Sequence, residues 1–338
     1  MKHGGNIYQF AKKLHCKPEQ IIDFSSNINP EQAVKPESLR NVALTPYADP
    51  EYSDLKQAIK QRYQISNDIG CEVFNGASAA IFSLLRWLQP EHLSLYFPLY
   101  GEYETITSKL QCTVQHINRF TDLENDIPEN TTIIFVNPST PDGKLYNLQK
   151  LLTKWQKKSC NIIIDESFLD FCDAESATQL IPQYEKLFII KSLSKFYGCA
   201  GIRIGFILSA MEKISKLKQL EPAWKLSSFD MAYMQQALAN HAFVAQTIKN
   251  TIKCRKQLYQ VLQDCGLFEK IYQGQANFLM AQLKTIDGYQ LQAQLERSQI
   301  LIRVCDNFAG LDKRHVRFAV KDAKTINHLA NALSSSRK

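Results

Sequence analysis

The sequence predicts an α/β protein with a large domain, in which helices flank a mostly parallel sheet, and a smaller α+β domain. Two observations carry this prediction. Short apolar, β-branched runs alternate with amphipathic helical patterns through the middle third, and from about residue 230 helical patterns precede a few short strands. Continuous apolar strands that alternate with helices are typical of a parallel sheet covered on both faces. With 338 residues, the chain is long enough for two domains.

The elements of the large domain follow from hydrophobic spacing. Leucines and a tryptophan at helical spacing predict a helix over 146–158, and a second predicted helix, 76–88, opens on a Gly-Ala-Ser turn. Each predicted strand is short enough to be buried whole. The predicted strands are 93–98, 131–138, 161–167, 186–192 and 202–208.

The pattern changes near residue 230, where a second domain is predicted to begin. A long helical pattern covers 231–263, and a final helix ends the chain. We therefore assign residues 46–229 to the large domain and 230–338 to the small C-terminal domain. The strand-like runs of the small domain are 276–283, 300–307 and 315–320.

Composition excludes several classes of protein. The 40 basic and 33 acidic residues, a net charge of +7, form no long basic block, so nucleic-acid binding has little support. The nine cysteines form no CxxC pair, which predicts reduced thiols and no metal site. The N-terminus has no apolar leader, and no run of roughly 18 apolar residues occurs. These features predict a cytoplasmic protein that binds no membrane.

Candidate catalytic residues lie at the predicted carboxyl ends of strands, where open parallel sheets bind their ligands. Lys195 follows one apolar run and Asp165 ends another. The turn at 76–78 opens a helix, whose free amides and dipole can hold a phosphate. Ser192 and Arg203 could add a hydroxyl and a guanidinium to the same anion.

One cofactor, pyridoxal phosphate, needs all of these groups together. It requires a lysine for a Schiff base, a carboxylate that keeps its pyridinium nitrogen protonated, and a phosphate cup. Tyr100, in "FPLYGEY", is a candidate to stack on its ring. Taken singly, such a lysine is usually solvated, such a carboxylate often caps a helix, and such a tyrosine often packs in a core. Their order and spacing favour the cofactor, with Lys195 as its covalent anchor.

The same residues resemble a known family. "SLSKFYGCAGIRIG" resembles the S-x-[ST]-K-x7-R signature of fold-type I pyridoxal-phosphate enzymes in the aminotransferase class I/II group, and "DESFLDF" resembles its aspartate motif. Two branches are plausible: histidinol-phosphate aminotransferases and the threonine-phosphate decarboxylases of cobalamin biosynthesis. The segments 3–30, with "HGGN" and "NINP", and 300–320, with "LIRVCDNFAGL", resemble the decarboxylases. The resemblance implies that residues 1–45 contribute to the small domain and the active site.

The resemblance also implies roles for individual residues. Lys195 and Asp165 would be catalytic, with Lys195 bonded to the cofactor and Asp165 paired with its pyridinium nitrogen. Tyr100 would stack on the ring. The full set of implied cofactor-binding residues is Tyr47, Ala77, Ser78, Tyr100, Thr140, Asp165, Phe168, Ser192, Lys195 and Arg203.

A partner subunit and a doubly anionic substrate are implied as well. Tyr47, in "PYADPEY", resembles the tyrosine that reaches the cofactor phosphate of the neighbouring subunit, which implies a homodimer. Arg317 would bind the substrate carboxylate, and Arg303, with His3 and Asn27, the substrate phosphate. Both arginines interrupt apolar runs, where an unpaired charge is costly, so a structural salt bridge is the alternative.

The chain departs from the family pattern at one position beside the cofactor. "NPSTPDG" stands where NPNNP[TD]G is usual, which puts Thr140 in place of an asparagine that donates to the phenolic oxygen of the cofactor. Phe168 replaces the tyrosine of the aminotransferases, as in the decarboxylases. We therefore expect decarboxylation of an O-phosphorylated amino acid, L-threonine O-3-phosphate or its serine analogue. The alternatives are a histidinol-phosphate-type aminotransferase and a non-catalytic protein of this fold.

Overall fold

The structure is a computed structural model that describes residues 4–335. The strands are β1 Ile22–Asp23, β2 Ile69–Asn75, β3 His92–Phe97, β4 Thr113–Asn118, β5 Thr132–Val136, β6 Asn161–Asp165, β7 Leu187–Ser192, β8 Ile204–Ala210, β9 Phe268–Ile271, β10 Phe278–Leu283, β11 Ile300–Leu301, β12 Arg303–Val304 and β13 His315–Ala319. The α-helices are α1 Ile7–Lys13, α2 Ser53–Tyr63, α3 Gly76–Leu88, α4 Gly101–Thr107, α5 Leu148–Lys157, α6 Leu193–Phe196, α7 Met211–Lys218, α8 Ser228–Ala239, α9 His241–Asp264, α10 Gly288–Leu295 and α11 Ala323–Ser335.

The large sheet has seven strands in the order β2-β8-β7-β6-β5-β3-β4. Its pairs from β4 to β7 are parallel, and β8 runs antiparallel to both of its neighbours. A parallel return needs a crossover of about a dozen residues or more, and only the short helix α6 separates β7 from β8. The prediction of a mostly parallel sheet flanked by helices is confirmed.

Two strands of this sheet, β2 and β4, were not predicted from the sequence. Strand β2, at the other edge of the sheet from β4, carries Glu72 in a fully buried position, which breaks the apolar pattern that marks a buried strand. The carboxylate is tolerated there because Lys56 and Lys225 pair with it at 2.7 and 2.8 Å. Strand β4, "TVQHIN", lies at the sheet edge and is mostly polar. Its composition resembles that of a loop.

The predicted helix 231–263 is in fact two helices. The chain breaks at Asn240, whose side-chain oxygen accepts a hydrogen bond from the amide of Phe243 and thereby starts α9. Helix α8 packs against α2, and its Met234 lies in the core of the large sheet. Helix α9 reaches from that core to the core of the small sheet, which contains Leu258 and Leu262.

The small antiparallel sheet has the order β12-β13-β10-β9, and β1 pairs in parallel with β11 beside it. The predicted strand 300–307 is therefore two short strands that pair with different partners. Through β1, the N-terminal segment joins the C-terminal part of the chain. The division into domains at residues 45 and 229 stays a prediction. Among the helices of residues 4–335, none combines the length and the hydropathy that a bilayer span requires.

Candidate active site

A cavity of about 340 Å³ opens between the large sheet and the C-terminal part of the chain. The carboxyl ends of β5, β6 and β7 contribute Val136, Asp165 and Ser192 to its wall. Arg303 and Arg317, from the antiparallel sheet, lie on the other side. Ligands of open parallel sheets bind at this edge, so the topology alone favours a binding site here.

Lys195 lies in the short helix α6, directly after β7, and its Nζ lies 4.6 Å from the centre of the Phe168 ring. Burial lowers the pKa of Lys195 to about 8; the nearby Asp165 carboxylate opposes this shift, and Arg203 and Arg317 add to it. A lysine with this pKa is partly neutral near neutral pH. Only the neutral amine has the free electron pair that attacks a carbonyl carbon.

Asp165 is the last residue of β6 and is 4% exposed. Its Oδ1 accepts a hydrogen bond from the Ser167 amide at 2.9 Å, and its Oδ2 accepts one from the Tyr103 hydroxyl at 2.9 Å. Both donors stabilise the ionised carboxylate and fix its orientation. Burial, followed by the Asp165 charge, raises the pKa of Tyr103 well above its usual value, so the hydroxyl stays protonated and donates.

The amino end of α3 has space and donors for an anion. Gly76 has φ = +78°, and a Cβ there would lie 2.5 Å from Nη2 of Arg203. A Cβ on Gly205 would lie 2.4 Å from the amide nitrogen of Ala77. Glycine at these two positions therefore permits the close approach of the Arg203 guanidinium and of the start of α3, which a side chain would prevent. The first-turn amides of this 13-residue helix, together with the Arg203 guanidinium, suit a phosphate group.

Polar side chains complete this end of the cavity. The Ser78 hydroxyl lies 3.2 Å from the Tyr100 hydroxyl, at the start of α4. Arg203 is oriented by Nη1, which donates to the Ser194 hydroxyl at 3.3 Å and to the Ala200 carbonyl at 3.0 Å. A lysine, a carboxylate and a phosphate cup thus line one cavity, and these residues fit pyridoxal phosphate.

Arg317 is a buried cation, 7% exposed, that forms no ion pair within the described residues. Its Nη1 donates to the Thr140 hydroxyl at 3.1 Å and its Nη2 to the Ser25 carbonyl at 3.1 Å. Burial lowers the pKa of Arg317 to about 10, with Arg303 acting in the same direction. A buried charge that only neutral groups hold is costly, and an anionic ligand would compensate it.

Arg303 is the second buried arginine of the cavity, 5% exposed. Its Nη2 donates to the Asn307 side chain, and its guanidinium lies 5.4 Å from the centre of the Phe308 ring. Burial lowers the pKa of Arg303 as well. Asn27, also in the cavity wall, has a buried Oδ1 without a hydrogen-bond partner in the part of the chain that the structure describes.

Most of the residues predicted from sequence meet in this cavity. Tyr47 does not line it: the side chain is 78% exposed and stacks on Trp224 with ring centres 4.6 Å apart. His3 lies outside the described residues. The predicted residues that line the cavity are Asn27, Ala77, Ser78, Tyr100, Thr140, Asp165, Phe168, Ser192, Lys195, Arg203, Arg303 and Arg317. Their individual roles stay predictions.

Some residues that hold a predicted site residue in position were not predicted from the sequence. Tyr103 follows Tyr100 by three positions in "FPLYGEY", and that spacing on α4 was the available signal that both face the site. Ser25, whose carbonyl holds Arg317, gave no signal because a backbone contact does not depend on residue type. Asn307 stood in the quoted C-terminal motif without an assigned role.

The family is established by comparison. The sequence model described as aminotransferase class I and II matches residues 19–333, and the chain belongs to this family. The predicted fold type I and the cofactor, pyridoxal 5′-phosphate, are confirmed by this membership.

Relatives of two activities are similar to the chain. Threonine-phosphate decarboxylase of Salmonella typhimurium is 28% identical over 351 residues, which cover 98% of this chain and 95% of that protein. The adenosylcobalamin biosynthesis bifunctional protein CobDQ of Leptospira interrogans is 28% identical over 358 residues, and the match spans 99% of this chain but only 41% of that protein. The crystal structure of histidinol-phosphate aminotransferase from Clostridium acetobutylicum superposes with a TM-score of 0.81 at 29% identity, covering 93% of this chain and 98% of that one.

We expect Tyr103→Phe to weaken cofactor binding roughly 10- to 100-fold, because one hydrogen bond to the buried Asp165 carboxylate is lost and such bonds contribute about 1.5–3 kcal/mol. Titration of the apoprotein with pyridoxal phosphate measures the Kd. Tyr96→Phe is the matched control, since that buried hydroxyl accepts from Trp155 at 3.2 Å, away from the cavity. Equal loss of affinity in both variants would contradict a role through Asp165.

Proposed function

We propose that the protein is a pyridoxal-phosphate-dependent decarboxylase of an O-phosphorylated amino acid. The substrate is L-threonine O-3-phosphate, and the product is (R)-1-amino-2-propanol phosphate for cobalamin biosynthesis. The observation that carries the proposal is the pair of buried arginines, Arg303 and Arg317, in the same cavity as Lys195 and Asp165. Two separate cationic sites suit a small substrate with a carboxylate and a phosphate.

The cofactor, when bound, would supply an electron sink for the electron pair that remains on Cα when the carboxylate group leaves as carbon dioxide. Asp165 would keep the pyridine nitrogen of the bound cofactor protonated, and its oxygens are already oriented by Tyr103 and Ser167. Arg317 orients the carboxylate and Arg303 the phosphate, so that binding energy at both ends positions the scissile bond. Lys195 Nζ, with a pKa lowered to about 8, accepts and returns protons within the cavity.

Thr140 links the substrate side of the cavity to the cofactor side. Its hydroxyl accepts from Nη1 of Arg317 at 3.1 Å, so its own proton is left to donate to a second oxygen. An asparagine in its place would offer two N–H donors. The single donor of threonine would serve the phenolic oxygen of the cofactor, the contact that the resemblance implies for the usual asparagine.

Two alternatives remain. A histidinol-phosphate-type aminotransferase would use the same cofactor groups, and it is favoured by the similarity to the aminotransferase from Clostridium acetobutylicum. A non-catalytic protein of this fold is disfavoured by Lys195 and Asp165, which both line the cavity. Serine phosphate differs from threonine phosphate by one methyl group, worth about 1–3 kcal/mol in a pocket, so it is a plausible second substrate.

The test is direct. Cofactor-loaded protein incubated with L-threonine O-3-phosphate, without any keto acid, is expected to release carbon dioxide and form (R)-1-amino-2-propanol phosphate. Carbon dioxide release and mass spectrometry of the product measure it, and serine phosphate is compared in parallel. Glutamate formed from histidinol phosphate and 2-oxoglutarate, with no gas from threonine phosphate, would establish the aminotransferase alternative.

A homodimer belongs to the same proposal. Tyr47 and Trp224 form an exposed aromatic pair, and Leu44 and Leu220 are 75% and 67% exposed. Contiguous exposed apolar groups are typical of an interface, and the stacked Tyr47–Trp224 pair is such a group. In a dimer, Tyr47 would reach the phosphate cup of the neighbouring subunit. The cytoplasmic location of the protein also stays a prediction.

A further inference from the structure

The carbonyl oxygens of five consecutive residues, 24–28, all accept hydrogen bonds from the C-terminal part of the chain. The first comes from the Ala319 amide at 2.8 Å, and the second from Arg317 Nη2 at 3.1 Å. Asn277 Nδ2 donates to the carbonyl of Asn27 at 2.9 Å. Lys321 Nζ lies 3.4 Å from the carbonyls of both Ser26 and Ile28. An irregular segment with every carbonyl bound on one side is held in a single conformation.

The next residues bind the loop of Lys195. The amide of Asn29 donates to the Lys195 carbonyl at 3.0 Å, and Asn29 Nδ2 donates to the Phe196 carbonyl at 2.9 Å. The contact is tight at Gly198, which has φ = +64° and whose Cβ, if present, would lie 1.9 Å from the Glu31 carbonyl. One continuous segment, residues 24–29, therefore connects hydrogen-bond donors of the C-terminal part of the chain to the backbone of Lys195.

We propose that residues 24–29 form a strap that couples Arg317 to Lys195, and that Lys321 is the positioning residue that holds the strap in place. The strap also supplies Ser25, Ser26, Asn27 and Ile28 to the cavity wall, so its position sets the shape of the substrate side. This inference rests on the proposed function in one respect, namely that Lys195 is the cofactor lysine. Lys321 itself does not line the cavity.

The environment of the Lys321 ammonium group is unusual for a structural lysine. It forms no ion pair with any described carboxylate, and burial lowers its pKa. The two hydrogen bonds of 3.4 Å are long and therefore weak, so the ammonium interacts with both carbonyl groups largely through its charge. Such a lysine contributes little to stability, because the cost of burying its charge offsets its contacts. We therefore expect its removal to change function more than the thermal midpoint.

The experiment compares cofactor-loaded wild type with Lys321→Met and with Lys324→Met, an exposed lysine three residues further on. Amide hydrogen exchange is followed in peptides covering 22–32 and 193–199. Lys321→Met is expected to speed exchange severalfold in both peptides, with a thermal midpoint close to that of wild type, while Lys324→Met changes neither. Within the described residues, Lys321 donates to the carbonyls of Ser26 and Ile28 and forms no hydrogen bond with 193–199, so a response of that peptide reports coupling through the strap.

Steady-state kinetics give the second readout. With a substrate that the wild type turns over, Lys321→Met is expected to raise KM severalfold more than it lowers kcat, because the cavity wall loosens. If Lys321→Met leaves amide exchange in peptide 193–199 unchanged, the proposed coupling between Arg317 and Lys195 is wrong, even if exchange in peptide 22–32 becomes faster. If Lys321→Met does not fold, Lys321→Gln, which keeps a donor without the charge, decides between these outcomes. Absence of turnover in wild type would refute the proposed function, while the exchange result would still decide the strap.

Discussion

Lys195→Ala is expected to reduce turnover of the cofactor-saturated protein by roughly 10⁴-fold or more, the loss typical of removing a covalent catalytic group. The cofactor should still bind, more weakly, through the phosphate cup at the amino end of α3. Turnover and visible absorbance measure the two effects. In wild type, borohydride reduction should leave a pyridoxyl group on Lys195, which peptide mass spectrometry locates.

Lys191 is the internal control for this assignment, because it is a second buried lysine only four residues away. Its burial lowers the pKa, but Asp170 and Glu166, at 3.1 and 3.2 Å, more than offset that effect and raise the pKa of Lys191. Lys191 therefore stays an ammonium ion and should not react with an aldehyde. A pyridoxyl group on Lys191, or on any lysine other than Lys195, would contradict the assignment.

The lowered pKa of Lys195 also has a consequence for stability. In the cofactor-free protein, the folded state loses this proton near pH 8, whereas the unfolded chain keeps it up to its usual value of 10.5. Between these pH values the unfolded state binds more protons, so the contribution of Lys195 to the free energy of unfolding rises with pH. Lys195→Ala should lack this rise. Apoprotein unfolding at pH 7.5 and 9 measures the difference between the two proteins.

Lys195→Ala also tests the proposed homodimer. If Tyr47 completes the phosphate cup of the neighbouring subunit, Tyr47→Ala should bind the cofactor weakly, and neither dead variant should be active alone. Mixing Lys195→Ala with Tyr47→Ala should then restore part of the activity, because exchange of subunits creates one site with both native residues. A fully active monomer at high dilution would refute this role of Tyr47.

Arg317→Met is expected to lower kcat/KM for a phosphorylated amino acid roughly 10²- to 10³-fold, because truncating one partner of a buried charge pair costs about 2–5 kcal/mol. Stability should respond differently. Arg317 forms no ion pair with a described residue, so the free protein loses a buried charge together with two hydrogen bonds, and its thermal midpoint should change little.

Arg255→Met is the matched control for this prediction. Arg255 donates to the carbonyls of Gln275 and Ala276 at 2.6 and 3.1 Å and does not line the cavity. Its loss should lower the thermal midpoint and leave KM unchanged. An Arg317→Met protein with unaltered kcat/KM but a large loss of stability would show that this arginine is structural.

The sequence by itself determined the parts of this protein that local patterns encode. The alternation of apolar runs and helices predicted the large sheet, since burial on both faces of a strand requires apolar residues throughout. Lys195 follows a predicted strand, Asp165 ends another, and the turn at 76–78 opens a predicted helix; together these groups predicted the cofactor. These features depend on residues close together in the chain, so residue types and their spacing are sufficient to predict them.

Only the tertiary structure decided which distant residues meet. Arg317 reaches Thr140 and Ser25 across 177 and 292 positions of sequence, and Tyr103 reaches Asp165 across 62. Such contacts leave no periodic pattern, and those made to a carbonyl oxygen do not depend on the type of the accepting residue. The buried Glu72 hid strand β2 for a related reason, because one of the lysines that neutralise it lies in α2 and the other in the loop before α8. Long-range pairing of charges and backbone groups is set by the packing of whole elements, which residue spacing alone does not specify.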